Sequence, residues 1–163
     1  MKNILVEEIM LFTDGSVDTN SNIGIGAYLL VIDSEISIDN LSKLVQLKQF
    51  ENTSSTKLEL EILLWALNEI QITDKKIFVY TDSQNTVGLP GRRKRFEQND
   101  YRTKKNERIK NYKLYKEFYR ICDILNCEFI KVRGHQKSHQ KDDIQKIFTL
   151  VDRASRKALR EEK

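Results

Sequence analysis

The sequence predicts one α/β domain, a five-stranded mixed sheet flanked by helices. Three observations lead there. Three strand-like segments come before any helical period, as an antiparallel meander requires; from residue 55 onward helical and strand segments alternate, as crossover connections require. The third is length, since 163 residues suffice for one sizeable core and fall short of two ordinary ones.

Residues 8–14 and 24–32 are runs rich in Ile, Leu, Phe, Tyr and Val, joined by the turn-rich stretch DGSVDTNSN. Gly24 and Gly26 are expected to open the second strand or bulge it. Residues 43–51 alternate weakly, Leu44, Gln46, Lys48 and Phe50 against Val45, Leu47, Gln49 and Glu51, and read as a third, edge strand. From 55 to 71 the period turns helical, with Ser55 or Thr56 as its cap. Within KKIFVYTDS, residues 76–81 form a short apolar strand of the kind buried on both faces in a parallel sheet. Residues 106–125 read as a charged amphipathic helix, 128–132 as a strand and 143–161 as a last helix, giving the order β-β-β-α-β-α-β-α.

A hydrophobic content of 39% beside 32% charged residues and a single proline excludes wholesale disorder and collagen-like chains, so a soluble globular protein is expected. Glu7 and Glu8 interrupt the N-terminal apolar run, and no stretch approaches the ~20 apolar residues that span a bilayer. The expectation is a cytoplasmic protein with no membrane partner. Cys122 and Cys127 have no second pair and no neighbouring histidine, which speaks against structural zinc and for reduced thiols. The net charge of +4 favours anionic partners, and does so strongly only where the charge is clustered.

Asp14 follows Ile9-Met10-Leu11-Phe12-Thr13, and Asp82 follows Ile77-Phe78-Val79-Tyr80-Thr81, so two strands end alike. Either aspartate alone can be a turn opener; two of them at the carboxyl ends of strands can also face one crevice. Glu59 shares its helical stripe with Ile62, Leu63, Ala66 and Ile70, and therefore belongs to the core-facing side. In the last helix Asp152 borders the stripe of Ile144, Ile147, Phe148, Val151, Ala154 and Ala158. Inward carboxylates cost several kcal/mol each unless a positive charge meets them, and no lysine or arginine recurs at matching inward offsets. A hard divalent cation such as Mg²⁺ would resolve the conflict, because it takes oxygen ligands and keeps positions free for water and phosphate oxygens.

In order along the chain, FTDGS with Asp14, TKLELEILLWALNEI with Glu59, VYTDSQ with Asp82, VRGH with His135 and VDRASRKAL with Asp152 resemble the type 1 ribonuclease H family, which cleaves the RNA strand of RNA/DNA hybrids. The resemblance runs over essentially the whole chain and implies the ribonuclease H-like fold for residues 1–163. It implies that Asp14, Glu59, Asp82 and Asp152 bind two Mg²⁺ ions, with Mn²⁺ as a substitute, and that Asp14 bridges them. It also implies that His135 assists proton transfer or product release, a role suited to a near-neutral pKa; His139 is less well placed. Gln84 and Asn20 match substrate-contacting positions, and Gly15 and Ser16 keep the backbone beside Asp14 slim enough for a nucleic-acid strand. Two departures stand out: Ser55 occupies a position where the family commonly has Asn, and seventeen residues separate His135 from Asp152, more than is usual.

Residues 91–116 hold eleven of the 28 Lys and Arg and only three acids. The segment looks like the basic protrusion that grips the DNA strand in many family members, with Arg92, Arg93, Lys94, Arg95, Lys104 and Lys105 as candidate contacts. The interleaved Phe96, Tyr101, Tyr112 and Tyr115 suit stacking or sugar packing. The expected function is a metal-dependent endonuclease acting on RNA/DNA hybrids, a monomer without an obligate protein partner, leaving 5'-phosphate and 3'-hydroxyl ends. An RNase H-fold nuclease with another duplex preference and a non-catalytic nucleic-acid-binding module are the alternatives.

Overall fold

The computed structural model describes residues 8–32, 36–71, 73–133 and 142–162. At its centre is β1 (Glu8–Asp18), whose alternating side chains serve two cores at once. Ile9 and Leu11 join one apolar cluster; Phe12 joins the other. Antiparallel to β1 runs β2 (Ile23–Val31), followed by α1 (Ile38–Ser42), β3 (Gln46–Phe50) and α2 (Ser55–Glu69). Then come β4 (Lys76–Thr81), α3 (Gln84–Gln98), α4 (Tyr112–Ile124), β5 (Cys127–Lys131) and α5 (Asp143–Glu161). The sheet order is β3-β2-β1-β4-β5, with β4 and β5 parallel to β1 and β3 on the edge, as the sequence predicts.

Each face of the sheet is closed by helices. Leu60, Leu63, Leu64 and Leu67 of α2, Leu89 of α3 and Phe118, Tyr119 and Ile121 of α4 pack on Leu11, Ile77 and Val79. On the other face Ile147, Phe148 and Val151 of α5, with Leu41 of α1, pack on Phe12, Ala27 and Leu29. No helix among the described residues is long and apolar enough to cross a membrane. Cys122 and Cys127 are free thiols, half-buried against the first core.

Several boundaries differ from the sequence expectation. Strand β1 does not stop at Asp14; it continues to Asp18 paired with β2, and the turn is confined to residues 19–22. Gly24 and Gly26 neither open nor bulge β2, since both keep regular register opposite Val17 and Gly15. Their role is clearance: a Cβ on Gly15 would lie 2.7 Å from Leu58 and Ile62, and one on Gly24 would lie 2.8 Å from Leu58. The cap of α2 is Ser54, whose Oγ accepts from the Lys57 amide, and neither Ser55 nor Thr56. The short α1 was not expected, and β5 starts one residue early, at Cys127.

The largest difference is α3. Gly88, Pro90 and Gly91 mark residues 88–91 as a breaker, yet the helix runs through them. Tertiary contacts override the local preference: Ser83 caps the helix, Leu89 is fully buried, and the Tyr119 hydroxyl donates to the Leu89 carbonyl at 2.6 Å. Arg92 reaches back to the Asn85 side-chain oxygen at 2.8 Å. Conversely, the helix expected over 106–125 forms only from Tyr112, because residues 99–111 fold into a tight connection. Asp100, Tyr101, Asn106 and Asn111 adopt positive φ there, and Arg102 bridges Arg108. The aromatics of this region are structural. Tyr101 and Tyr115 are buried, and Phe96 packs on them with ring centroids 5.7 and 5.3 Å away, so they are not free to stack on bases.

The packing of α2 on the glycines gives a stability prediction. Gly26→Ala puts a methyl against Ile62 and the Phe50 ring, and Ile62 is fully buried and cannot swing aside. The cost should be about 1–3 kcal/mol, as for other overpacked sites. An unchanged urea midpoint would contradict this account of why glycine stands there.

Candidate active site

Parallel pairing of β1 with β4 ends at Phe12 opposite Tyr80, while β1 goes on beside β2. Two residues beyond that last pair lie Asp14 and Asp82. Asp14, opposite Ala27, points to the α5 face and is only 9% exposed. Burial raises its carboxyl from 3.8 to about 8, the nearby Asp82 and Asp152 carboxylates add to the rise, and the Gly15 amide partly opposes it. At neutral pH and without a cation Asp14 therefore tends to hold its proton, within hydrogen-bonding reach of Asp152.

Glu59 arrives from the opposite helical layer, on the first turns of α2, half-buried. Burial raises its carboxyl; a hydrogen bond from Ser83 lowers it, and the charge of Asp82 raises it again. Ser83 thus has two tasks. Its Oγ accepts the Thr86 amide at 3.1 Å as the cap of α3, while its hydroxyl proton is available to Glu59. Its own amide donates to Thr81 Oγ1 at 3.1 Å, which fixes the turn holding Asp82. The sequence pattern gave Ser83 no role; the Ser immediately before an unrecognised helix was its only signal.

Asp152 comes from α5. Contrary to the expectation that no basic residue meets the inward acids, Arg156, one turn on, holds its carboxylate with Nε 2.9 Å from Oδ1. Beside it the buried Ser155 Oγ lies 3.1 Å from the Asp152 carbonyl and 3.4 Å from Ser16 Oγ, tying α5 to β1 next to Asp14. From four elements, β1, α2, α5 and the turn after β4, the acids form a chain of electrostatic contacts, with Asp82 in reach of both Asp14 and Glu59, and Asp152 in reach of Asp14.

The other expected residues divide. Ser55 is exposed one turn before Glu59, on the same helical face. Gln84 is exposed as the first residue of α3, two past Asp82. Gly15 lies beside Asp14, but its bare side faces α2, so its slimness serves helix packing. Asn20 sits at the exposed tip of the β1–β2 hairpin, where its amide donates to Asp18; four further strand residues carry the tip roughly 13 Å beyond Asp14, at about 3.3 Å per residue. Arg92 is engaged with Asn85, and Arg93 with Asp123 and Glu97. Lys94, Arg95, Lys104 and Lys105 are exposed. His135 and His139 lie outside the described residues.

The candidate donor set consists of carboxylate oxygens, which suits Mg²⁺ or Mn²⁺. The buried, proton-holding Asp14 is the kind of group a divalent cation would relieve. Among the described residues no group of three or more such side chains is drawn close enough to hold a metal as it stands. The Asp14–Asp152 and Arg156–Asp152 contacts and the Ser83 bond to Glu59 occupy the carboxylates instead.

Residues 6–159 match the family model described as RNase H. The chain is 28% identical over 139 residues to the ribonuclease H of Caldicellulosiruptor saccharolyticus, covering 80% of this chain and 86% of that one. It is 24% identical over 149 residues to the ribonuclease H of Acetivibrio thermocellus, covering 88% and 94%. In fold it resembles LC9-RNase H1, a type 1 RNase H with the type 2 active-site motif, with a TM-score of 0.67 at 16% identity over 94% of this chain and 72% of that one. A foamy viral protease-reverse transcriptase in complex with double-stranded DNA shares the fold with a TM-score of 0.60 at 9% identity, over 91% and 92% of the two chains.

The state of Asp14 can be tested through stability. A carboxyl raised by folding costs nothing below its unfolded value of 3.8 and costs progressively more as pH climbs toward about 8. Asp14→Asn removes that cost and keeps a donor for Asp152. In EDTA the variant should be more stable than the wild type at pH 8, by about 1–3 kcal/mol, with the gap closing by pH 4. Equal urea midpoints at pH 8 would overturn the assignment.

Proposed function

This chain belongs to the RNase H family, and we propose that it hydrolyses the RNA strand of RNA/DNA hybrids in a divalent-metal-dependent reaction that leaves 5'-phosphate and 3'-hydroxyl ends. The observation that carries the reading is the convergence of four carboxylates on the end of β1 and β4, with Asp14 buried among them.

Asp14, Glu59, Asp82 and Asp152 are the residues that would hold the metal. Bound there, Mg²⁺ or Mn²⁺ supplies an activated water and charge stabilisation for the leaving oxygen. The protein's own groups prepare the site. Ser83 aims Glu59 with one hydroxyl, Arg156 keeps Asp152 extended along α5, and the Ser16–Ser155 contact sets the distance between α5 and β1. Ser55 and Gln84, exposed on either side of the acids, present hydroxyl and amide groups to the 2'-hydroxyls that distinguish RNA from DNA. His135 takes part in proton transfer or product release.

Helix α3 then acts as a ruler. Its fifteen residues start next to Asp82 and lead toward the basic connection, a length of about 22 Å at 1.5 Å per residue. At 3.4 Å per nucleotide that is about six steps along a strand. Lys94, Arg95, Lys104 and Lys105 thus hold the backbone of a duplex whose scissile phosphate lies at the acids.

Labelled RNA/DNA hybrid, double-stranded RNA, double-stranded DNA and single-stranded RNA, each with EDTA, Mg²⁺ or Mn²⁺, test the reading. Only the hybrid with metal should be cut, and a hybrid left intact under both metals would end it. Asp14→Asn and Asp82→Asn should each lower kcat by at least about 100-fold, in line with the loss of one preorganised electrostatic group. Replacing both Lys104 and Lys105 by alanine should raise KM, leave kcat, and flatten the salt dependence of binding by about one logarithmic unit per lysine. An unchanged salt slope would remove the connection from the substrate path.

A further inference from the structure

Lys131 closes β5 and pairs with Thr81, the residue immediately before Asp82; the Val132 amide donates to the Thr81 carbonyl at 2.8 Å. This fixes its backbone one strand spacing, about 4.8 Å, from the end of β4. Strand alternation turns it to the face that carries Cys127 and Phe129, the α3 side of the sheet, where its Nζ lies 3.1 Å from Oε1 of Gln84. Both side chains are exposed at the edge of the candidate site.

From this placement we infer that Lys131 is a substrate-binding and positioning residue, which grips a phosphate of the nucleic acid and fixes Gln84 as a pure donor toward it. The inference rests on the nuclease reading above. The argument is one of hydrogen-bonding capacity. An ammonium has three donors and no acceptor, so the only Gln84 atom that can face it is the carbonyl oxygen. The orientation of the amide follows from that chemistry, even though oxygen and nitrogen are alike in shape. With Oε1 held inward, both N–H groups of Gln84 point away from Lys131, and the site offers donors alone to sugar, base or phosphate acceptors. A free glutamine would spend part of its time with the carbonyl outward, against an acceptor-rich backbone.

The charge has a separate use. Among the described residues the partner of Lys131 is a neutral amide, so this bond leaves the positive charge uncancelled, with two further N–H groups for a phosphate oxygen. A lysine suits this better than an arginine-like fork, since a point charge grips a phosphate without demanding one bidentate geometry. The strand position supplies what a loop lysine would lack: two of its neighbours, Thr81 and Val132, are locked in the ladder.

The test uses the full chain, with hybrid binding followed by fluorescence anisotropy on an Asp14→Asn background and cleavage kinetics on the otherwise unaltered protein. Lys131→Met should weaken hybrid binding about five- to tenfold, raise KM with little change in kcat, and reduce the salt slope by about 0.7–0.9 for the one lost phosphate contact. Lys131→Arg, also donor-only, should restore most of the binding. Lys131→Glu, which would turn the Gln84 amide round and repel phosphate, should be the weakest binder. Gln84→Met should cost much less in the Lys131→Met background than alone, because the two act together. Unchanged affinity and salt slope in Lys131→Met would overturn the inference while leaving hybrid cleavage by the wild type untouched. Strictly additive losses would overturn the positioning of Gln84. A wild-type chain that cleaves no hybrid would instead refute the function proposed above.

Discussion

The structure is organised around a buried carboxyl that its surroundings do not neutralise. Asp14 is held by the central strand, desolvated by the α5 layer and pressed by the charges of Asp82 and Asp152. Other inward polar groups have partners, Thr53 with Glu61 at 2.6 Å and Tyr119 with the Leu89 carbonyl among them. At Asp14 the fold instead places more negative charge beside the first. Burying like charges together is unfavourable in a low-dielectric setting, and only the surrounding packing can hold them there. Both cores meet that demand from opposite faces of β1.

That arrangement explains why the supporting contacts lie where they do. Ser83, Arg156 and the Ser16–Ser155 pair each restrain an acid or the element that carries it. The glycines of β1 and β2 serve the same end indirectly. By admitting Leu58 and Ile62 against the sheet they bring the start of α2, and with it Glu59, down to the level of Asp82. The basic surface obeys a different physics. Its aromatics are spent on the core, its first two arginines on structural pairs, and the charge left exposed sits farther along α3 and its connection. Counting cations in the sequence overstates that surface, because the number free to meet phosphate depends on which carboxylates and carbonyls the fold brings near.

Much of the fold was legible in the sequence. The strands at 76–81 and 143–161's helix were placed to the residue, the meander and the edge position of β3 were read correctly, and the inward lean of Glu59 and Asp152 followed from helical offsets alone. These succeed because hydrophobic period is a local record of which face is buried. The failures share a cause as well. No helix was expected between residues 82 and 105; Gly88, Pro90 and Gly91 disfavour one locally, and Leu89 burial and the Tyr119 hydrogen bond outweigh them in α3. Asp14 looked like the last residue of a strand because glycine and serine follow it, whereas those residues continue the ladder under α2.

By itself the sequence singled out four candidate acids and the elements that carry them, since motif and period are properties of neighbouring residues. Only the tertiary structure decided what those acids meet. The Ser83 bond to Glu59, the ion pair of Arg156, the contact of Lys131 with Gln84 across 47 positions and the Ser16–Ser155 contact across 139 depend on sheet order and helix placement. Electrostatic and hydrogen-bond energies depend on distance in space and on exclusion of water, and neither quantity is written in the spacing of residues along a chain.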